Sequence, residues 1–308
     1  MINRILIRIK VLQIVFAYYQ NGNNDIYVAE NELHLSLRRS YELYYYFLLL
    51  IVEVTLLQEH RLDTRKQRYL RTEDDLHPNT RFIDNRFARQ LETNESLQKY
   101  VKEHGISWKD ETDFVKKVLE MILDSDLYAE YLKNPDDCYA TDREFWRAVF
   151  RNLICGNEDI EDALEDICIY WNDDVEIIET FVLKTIKRFD EANGSKQKLL
   201  PMFKDEEDAE FASQLFHQTL QNEDQYRALI DRHTKNWESE RVAGMDMVIM
   251  QVALAELLNF PKIPTKVTLN EYIDAAKYYS TPKSGMFING VLDSIIKELK
   301  KEKKLLKD

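Results

Sequence analysis

The sequence predicts an all-α protein. Its 308 residues contain only seven glycines and six prolines, too few for the many tight turns of a sheet protein or for glycine-rich phosphate loops. Hydrophobic residues make up 44% and charged residues 31%, as in a globular protein with a sizeable core. Apolar residues recur at helical spacing along most of the chain, and the segments number about ten helices.

The first predicted helix covers residues 3–20 and is apolar on nearly all sides, which is typical of a helix buried against several neighbours. Arg4 and Arg8 lie one turn apart on this helix and face the same way. They could be the solvated edge of a core helix or a clamp for phosphate. A second helix is predicted at 25–59, where clustered tyrosines indicate core packing, and residues 60–84 are expected to form a loop.

The middle of the chain is strongly acidic. Helices are predicted at 84–104, 109–132, 141–155, 158–171 and 173–190, and residues 157–180 contain ten acidic and no basic side chains. Without a nearby histidine, this stretch is expected to be a solvated face rather than a metal site. A docking surface for a basic partner is the functional alternative. After a linker-like segment at 196–201, helices are predicted at 205–221, 223–237 and 241–258.

Two helices joined by a tight turn are predicted within residues 263–296. Thr268 and Glu271 have the spacing of a capping box at the start of the first helix. Thr281-Pro282 is expected to start the second, because proline is favoured at the first helical position.

The last helix is expected to bury one aliphatic face. Met286 points away from this face and is expected to be covered by a neighbouring helix. Phe287 lies on the flank, where it could be covered or could form a contact surface with Lys283, Ser284 and Asn289.

The charge distribution restricts where nucleic acid could bind. A net charge of −13 argues against a protein that coats nucleic acid by bulk electrostatics. However, residues 1–24 contain Arg4, Arg8 and Lys10 and no acid, and the tail from Lys297 onward is rich in lysine. A nucleic-acid site is therefore expected at the chain ends.

The sequence contains none of the common enzyme motifs. Glycine-rich nucleotide loops, zinc-protease motifs and nucleophile elbows are lacking, so no catalytic residue, metal ligand or cofactor is predicted. Cys138, Cys155 and Cys168 fit no zinc spacing and indicate a reducing, cytoplasmic setting. The most apolar run, residues 43–52, is too short to cross a bilayer, and no membrane contact is expected.

Three segments stand in fixed order near the end of the chain: RVAGMDMVIMQVALAELL, IPTKVTLNEYIDAAKYYS and KSGMFINGVLDSI. They resemble the NusB family of transcription antitermination factors, whose members have A-x-x-E-L, then I-P-x-K-V-x-I-N-E, then S-x-x-F-x-N-G-V-L-D. The matching residues are Ala253, Glu256, Leu257, Ile263, Pro264, Lys266, Val267, Asn270, Glu271, Ser284, Phe287, Asn289, Gly290, Val291, Leu292 and Asp293. With a looser match in the first helix, the resemblance covers approximately residues 3–35 and 205–298.

The resemblance implies NusB-like helical bundles with an inserted helical region. A division into residues 1–203 and 204–308 is expected, with the family domain in the second part. The family is non-enzymatic and binds the boxA element of nascent ribosomal RNA. Its partner is NusE, the ribosomal small-subunit protein S-ten, and the complex joins the elongating RNA polymerase.

RNA contacts are expected from both ends of the chain. The resemblance carries over Arg4, Arg8 and Gln13 from the first helix, and Ser284 and Phe287 from the last. Lys10 and Lys283 add charge beside them, and Asn289 could read a base edge or make a structural hydrogen bond. Arginine forks hold phosphates, and a phenylalanine ring stacks on an unpaired base.

Departures from the family leave two other hypotheses. The arm has fewer basic residues than is common, and Gly285 and Met286 stand where relatives often have histidine and lysine. Weaker RNA binding is expected unless the basic tail compensates. The alternative is a protein–protein adaptor that docks through the acidic insert. A ribosomal-RNA methyltransferase is disfavoured, because the proline-cysteine motif and the glycine-rich cofactor loop are missing.

Overall fold

The computed structural model describes all residues except 23–24, 68, 70–71, 73–76, 235–243, 306 and 308. Regular secondary structure in the described residues is helical, apart from one isolated parallel bridge between Ile2 and Phe203. The predicted all-α class is therefore confirmed.

Fourteen α-helices are described. In chain order they are α1 (Arg4–Gln20), α2 (Ile26–Lys66), α3 (Arg86–Glu92), α4 (Glu95–His104), α5 (Thr112–Leu123), α6 (Asp126–Lys133), α7 (Tyr139–Val149), α8 (Glu158–Ile167), α9 (Val175–Arg188), α10 (Glu206–Gln221), α11 (Glu223–Thr234), α12 (Gly244–Asn259), α13 (Thr265–Tyr279) and α14 (Ser284–Lys301). A π-helical turn, Phe150–Ile154, extends α7, and short 3-10 turns occur at Lys109–Glu111, Ile169–Trp171 and Glu191–Lys196.

Several predicted helices have different bounds in the structure. The second runs on to Lys66, so part of the predicted loop at 60–84 is helical. Those predicted at 84–104 and 109–132 are each divided in two. Asn94 and Ser125 cap the second helix of each pair by accepting hydrogen bonds from backbone N–H groups. The last residues of the helix predicted at 223–237 (235–237) and the first residues of the helix predicted at 241–258 (241–243) lie outside the described residues.

The described residues form two compact units. The central unit consists of Met1 and Arg38–Met202, and the terminal unit consists of Ile2–Leu37 and Phe203–Asp308. The division expected at residues 203/204 would therefore separate α1 from the helices with which it groups. The long helix α2 belongs to the terminal unit up to Leu37 and to the central unit from Arg38.

The central unit has an aromatic core. Tyr44, Tyr45 and Phe47 of α2 are buried, which confirms that this tyrosine-rich segment is core packing. By length and composition, α2 is apolar enough to cross a membrane, but 67% of its most apolar window is buried inside the protein, as in a core helix. Within the described part of the chain, no group of three or more histidine, cysteine or carboxylate side chains could hold a metal ion.

The terminal unit is built around α12, most of whose residues are buried. This helix packs against α1, α10, α11, α13 and α14, and α1 also packs against α10. A helix buried on all sides needs no polar face, which explains why apolar residues occur all around α12.

The closing pair of helices does not start as predicted. Helix α13 begins at Thr265 after Pro264, one turn earlier than the capping-box pattern indicated, so that prediction was wrong. The hydroxyl of Thr268 instead donates to Glu256, 2.7 Å away, because this buried carboxylate lies within its reach. Helix α14 begins at Ser284, and the backbone N–H of Thr281 donates to the Ser284 hydroxyl at 3.2 Å.

Candidate nucleic-acid interface

Arg8 lies inside the terminal unit and is only 5% exposed. Its guanidinium holds Glu256 with two hydrogen bonds, Nε to Oε2 at 2.7 Å and Nη2 to Oε1 at 3.0 Å. Glu256 is fully buried and also accepts from the hydroxyls of Thr268 (2.7 Å) and Tyr272 (3.1 Å). Arg8 is therefore neither a solvated edge nor an open phosphate clamp, but the cation of a buried network that joins α1, α12 and α13.

Arg4 is also engaged within the protein. Its Nε donates to Asp208 at 2.8 Å and its Nη2 to Glu207 at 3.1 Å, at the start of α10. The guanidinium carbon lies 5.1 Å from the centre of the Phe211 ring. Arg4 keeps 29% side-chain exposure, so nucleic acid could reach it only by competing with two carboxylates.

Lys10 and Gln13 complete the set predicted on α1. Lys10 is 1% exposed, whereas Gln13 is half-buried, and both have interaction partners in the structure. The burial of Arg8 and Lys10 counts against direct RNA contact by these two side chains. Their contact with RNA stays a prediction.

Ser284 holds the first turn of α14 against α12. It is 2% exposed, and its hydroxyl donates to Oδ2 of Asp246 at 3.0 Å. Ser280 donates to the other oxygen of the same carboxylate. This cluster fixes where α14 starts, and its burial likewise counts against RNA contact by Ser284.

The solvent-facing residues at the start of α14 are Lys283, Met286 and Asn289, and Phe287 is half-buried. Met286 is 77% exposed, so the expectation that a neighbouring helix covers it was wrong. The reason lies in Gly285, where an added Cβ would stand 3.7 Å from the backbone oxygen of Ile273 in α13. Because α14 turns its glycine side toward α13, the next side chain along the helix points into solvent.

The structure separates the two predicted halves of the binding surface. Arg8 attaches to α12 at Glu256, whereas Ser284 attaches to the same helix at Asp246. Ten residues of helix rise about 15 Å, so the two sets lie at different ends of α12. The α1 residues beside Gly244, at the same end as Asp246, are Phe16 and Gln20, neither of which was predicted to contact RNA.

Sequence reasoning also missed Tyr278, which is 81% exposed on α13. Helical spacing could have found it, because Tyr278 lies on the face away from the buried residues Tyr272 and Ala276.

Comparisons with known proteins agree on one family. The model of the NusB family matches residues 175–297. The chain is 36% identical over 132 residues to the transcription antitermination protein NusB of Salinibacter ruber, covering 41% of this chain and 82% of that protein. It is 42% identical over 100 residues to the same-named protein of Koribacter versatilis, covering 32% and 68% of the two chains. For that of Desulfatibacillum aliphaticivorans, identity is 41% over 96 residues, covering 31% and 67%. No solved structure matches.

Proposed function

The chain belongs to the NusB family of non-enzymatic transcription antitermination factors, and from this premise we propose that it binds a boxA-like single-stranded RNA together with NusE. The complex would act in the cytoplasm, on the elongating RNA polymerase. The observation that carries this proposal is the solvent-accessible start of α14. There the family segment around Phe287 and Asn289 is presented beside Lys283.

The accessible groups suit an unpaired strand. Phe287 is half-buried, and an aromatic ring that stacks on an unpaired base stabilises RNA binding by about 1–3 kcal/mol. The exposed ammonium of Lys283 offers a positive charge for a phosphate, and the exposed amide of Asn289 has both donors and acceptors for a base edge. Because Arg4 and Arg8 are engaged by carboxylates, we expect weak binding without NusE.

The test is fluorescence polarisation with a boxA-like RNA and a scrambled RNA of equal length, with and without NusE. We expect a preference for the boxA-like sequence that is strongest in the presence of NusE. If both RNAs bind equally well when NusE is present, the proposed function is refuted.

Phe287→Ala tests the stacking residue. Loss of one stacked base should weaken RNA binding by about 1–3 kcal/mol, with little effect on folding because Phe287 is not fully buried. Tyr27→Ala is the matched control, since Tyr27 is an exposed aromatic residue of the same unit. Unchanged affinity of Phe287→Ala would remove this residue from the site.

A second candidate is the adaptor function, which the acidic face of α8 favours. This helix buries Ile160 and Leu164, and among the described residues none of its six acidic side chains forms an ion pair. Capture of a basic protein that survives ribonuclease, and that is lost when the acids of α8 are changed to glutamine or asparagine, would support it.

A further inference from the structure

We propose that Lys300, Lys301 and Lys303 bind the phosphates of RNA that continues past the boxA-like element along α14. This inference rests on the proposed RNA-binding function and deepens it. It assigns a second, sequence-independent contact to the end of the chain, outside the segment around Phe287.

Helix α14 offers a straight path between the two places. One of its faces is buried, whereas Met286, Gly290, Lys297 and Lys301 are exposed at intervals of four or seven residues and so lie along one stripe. From Phe287 to Lys301 the helix rises about 21 Å. A strand whose base stacks on Phe287 therefore has an exposed route to the lysines.

Among the described residues, no carboxylate forms an ion pair with any of the three lysines. Lys297 pairs with Asp293 at 2.6 Å, and Lys304 pairs with Glu302 at 2.7 Å. In the described part of the chain, no ion pair is formed by Lys300, Lys301 or Lys303. In a protein of net charge −13, three unpaired cations within four residues favour a polyanion, because phosphate contacts release counterions.

The backbone holds this segment in a strained conformation. Lys303 has φ +56°, a left-handed conformation in which glycine costs least. The N–H groups of Lys304 and Leu305 both donate to the carbonyl of Leu299, at 2.8 and 3.2 Å. Lysines near a helix end interact favourably with the helix dipole, but that benefit does not require a lysine at the left-handed position.

Contacts beyond the helix anchor the tail. Leu305 is buried, and Nζ of Lys307 donates to the carbonyls of Glu256 at 3.1 Å and Phe260 at 3.0 Å. The lysines before Leu305 are therefore displayed by a fixed backbone, which lowers the entropy that binding would cost.

The test compares K300Q/K301Q/K303Q with the wild-type chain in the presence of NusE. The probes are a short boxA-like RNA and the same RNA extended at either end. Each lost phosphate contact should weaken binding of the extended RNA about fivefold at 0.1 M salt and flatten the salt slope by about 0.7. Binding of the short RNA should not change. The control K102Q/K117Q/K133Q removes three exposed lysines of the central unit and alters net charge equally.

Lys303→Gly separates binding from folding. It should raise the midpoint of thermal unfolding, because the strain at φ +56° is relieved, and yet weaken binding of the extended RNA. If the triple variant keeps wild-type affinity and salt slope, or falls no further than the control, the inference is overturned and the proposed function stands. If the wild-type chain has no boxA preference, both fail.

Discussion

The carboxylate of Glu256 is fully buried, and a buried charge persists only if a cation and hydrogen-bond donors compensate for the lost water. Arg8 supplies the charge with two donors, and Thr268 and Tyr272 supply the others. At the residue scale, the family-like arginine of α1 thus holds the fold together. An arginine can hold a carboxylate or a phosphate with the same bidentate geometry, so the sequence could not distinguish a structural ion pair from an RNA contact.

Arg8→Met should reduce the free energy of unfolding by about 3–5 kcal/mol, because it leaves the charge of Glu256 buried without a cation. Urea unfolding measures the change. Arg4→Gln is the control, and it should cost at most about 1 kcal/mol, since its partners Glu207 and Asp208 stay in contact with solvent. A loss below 1 kcal/mol for Arg8→Met would contradict the role of Arg8 in folding.

Glu179 of α9 makes the protein sensitive to pH. Burial, followed by the nearby charge of Glu161, raises the pKa of Glu179 from 4.5 to about 7. Between these two pH values the folded state binds more protons than the unfolded state. The protonated carboxyl therefore contributes stability that is fully present below pH 4.5 and is lost as pH rises through 7.

Glu179→Gln should remove this pH dependence, which amounts to about 3 kcal/mol. Unfolding by urea at pH 4.5, 6 and 8 should show wild-type stability falling relative to the variant as pH rises. Glu176→Gln, an exposed position on the same helix, should follow the wild-type curve. Parallel curves for wild type and Glu179→Gln would show that folding does not raise the pKa of Glu179.

At the scale of elements, local signals located the helices better than their ends. Thr268 and Glu271 have the spacing of a capping box, but Glu256 and Arg8 engage both side chains from outside the helix. The end of α14 was not apparent from sequence either, because Lys303 takes a conformation that normally indicates glycine.

Lys303→Gly should stabilise the terminal unit by about 1 kcal/mol, the usual cost of a left-handed non-glycine residue. Thermal unfolding followed by circular dichroism measures it. Lys301→Gly is the informative control, because glycine within the last helical turn should destabilise by a similar amount. A Lys303→Gly variant no more stable than wild type would show that the backbone at this position is unstrained.

At the scale of the whole molecule, the chain has two cores. Residues 2–37 and 203–308 form the terminal unit, which contains the family segments, and Arg38–Met202 forms most of the other. Arg8 belongs to the first core and Glu179 to the second.

The effects of Arg8→Met and Glu179→Gln on unfolding free energy should therefore add, within about 0.5 kcal/mol, because the two side chains share no partner. A double-mutant cycle at pH 8 tests this expectation. Arg8→Met combined with Tyr272→Phe is the contrasting cycle, since both side chains bind Glu256 and their effects should not add. Strong coupling in the first cycle would contradict two separate cores.

The sequence by itself determined the helical class, the family and the order of the helices, because apolar periodicity and fixed motif spacing are local properties of the chain. Only the tertiary structure decided which polar residues remain accessible. Arg8 and Ser284 meet carboxylates more than thirty residues away in sequence, whereas Met286, expected to be covered, faces solvent. Burial depends on which distant residues come together, and local patterns of the sequence do not show those contacts.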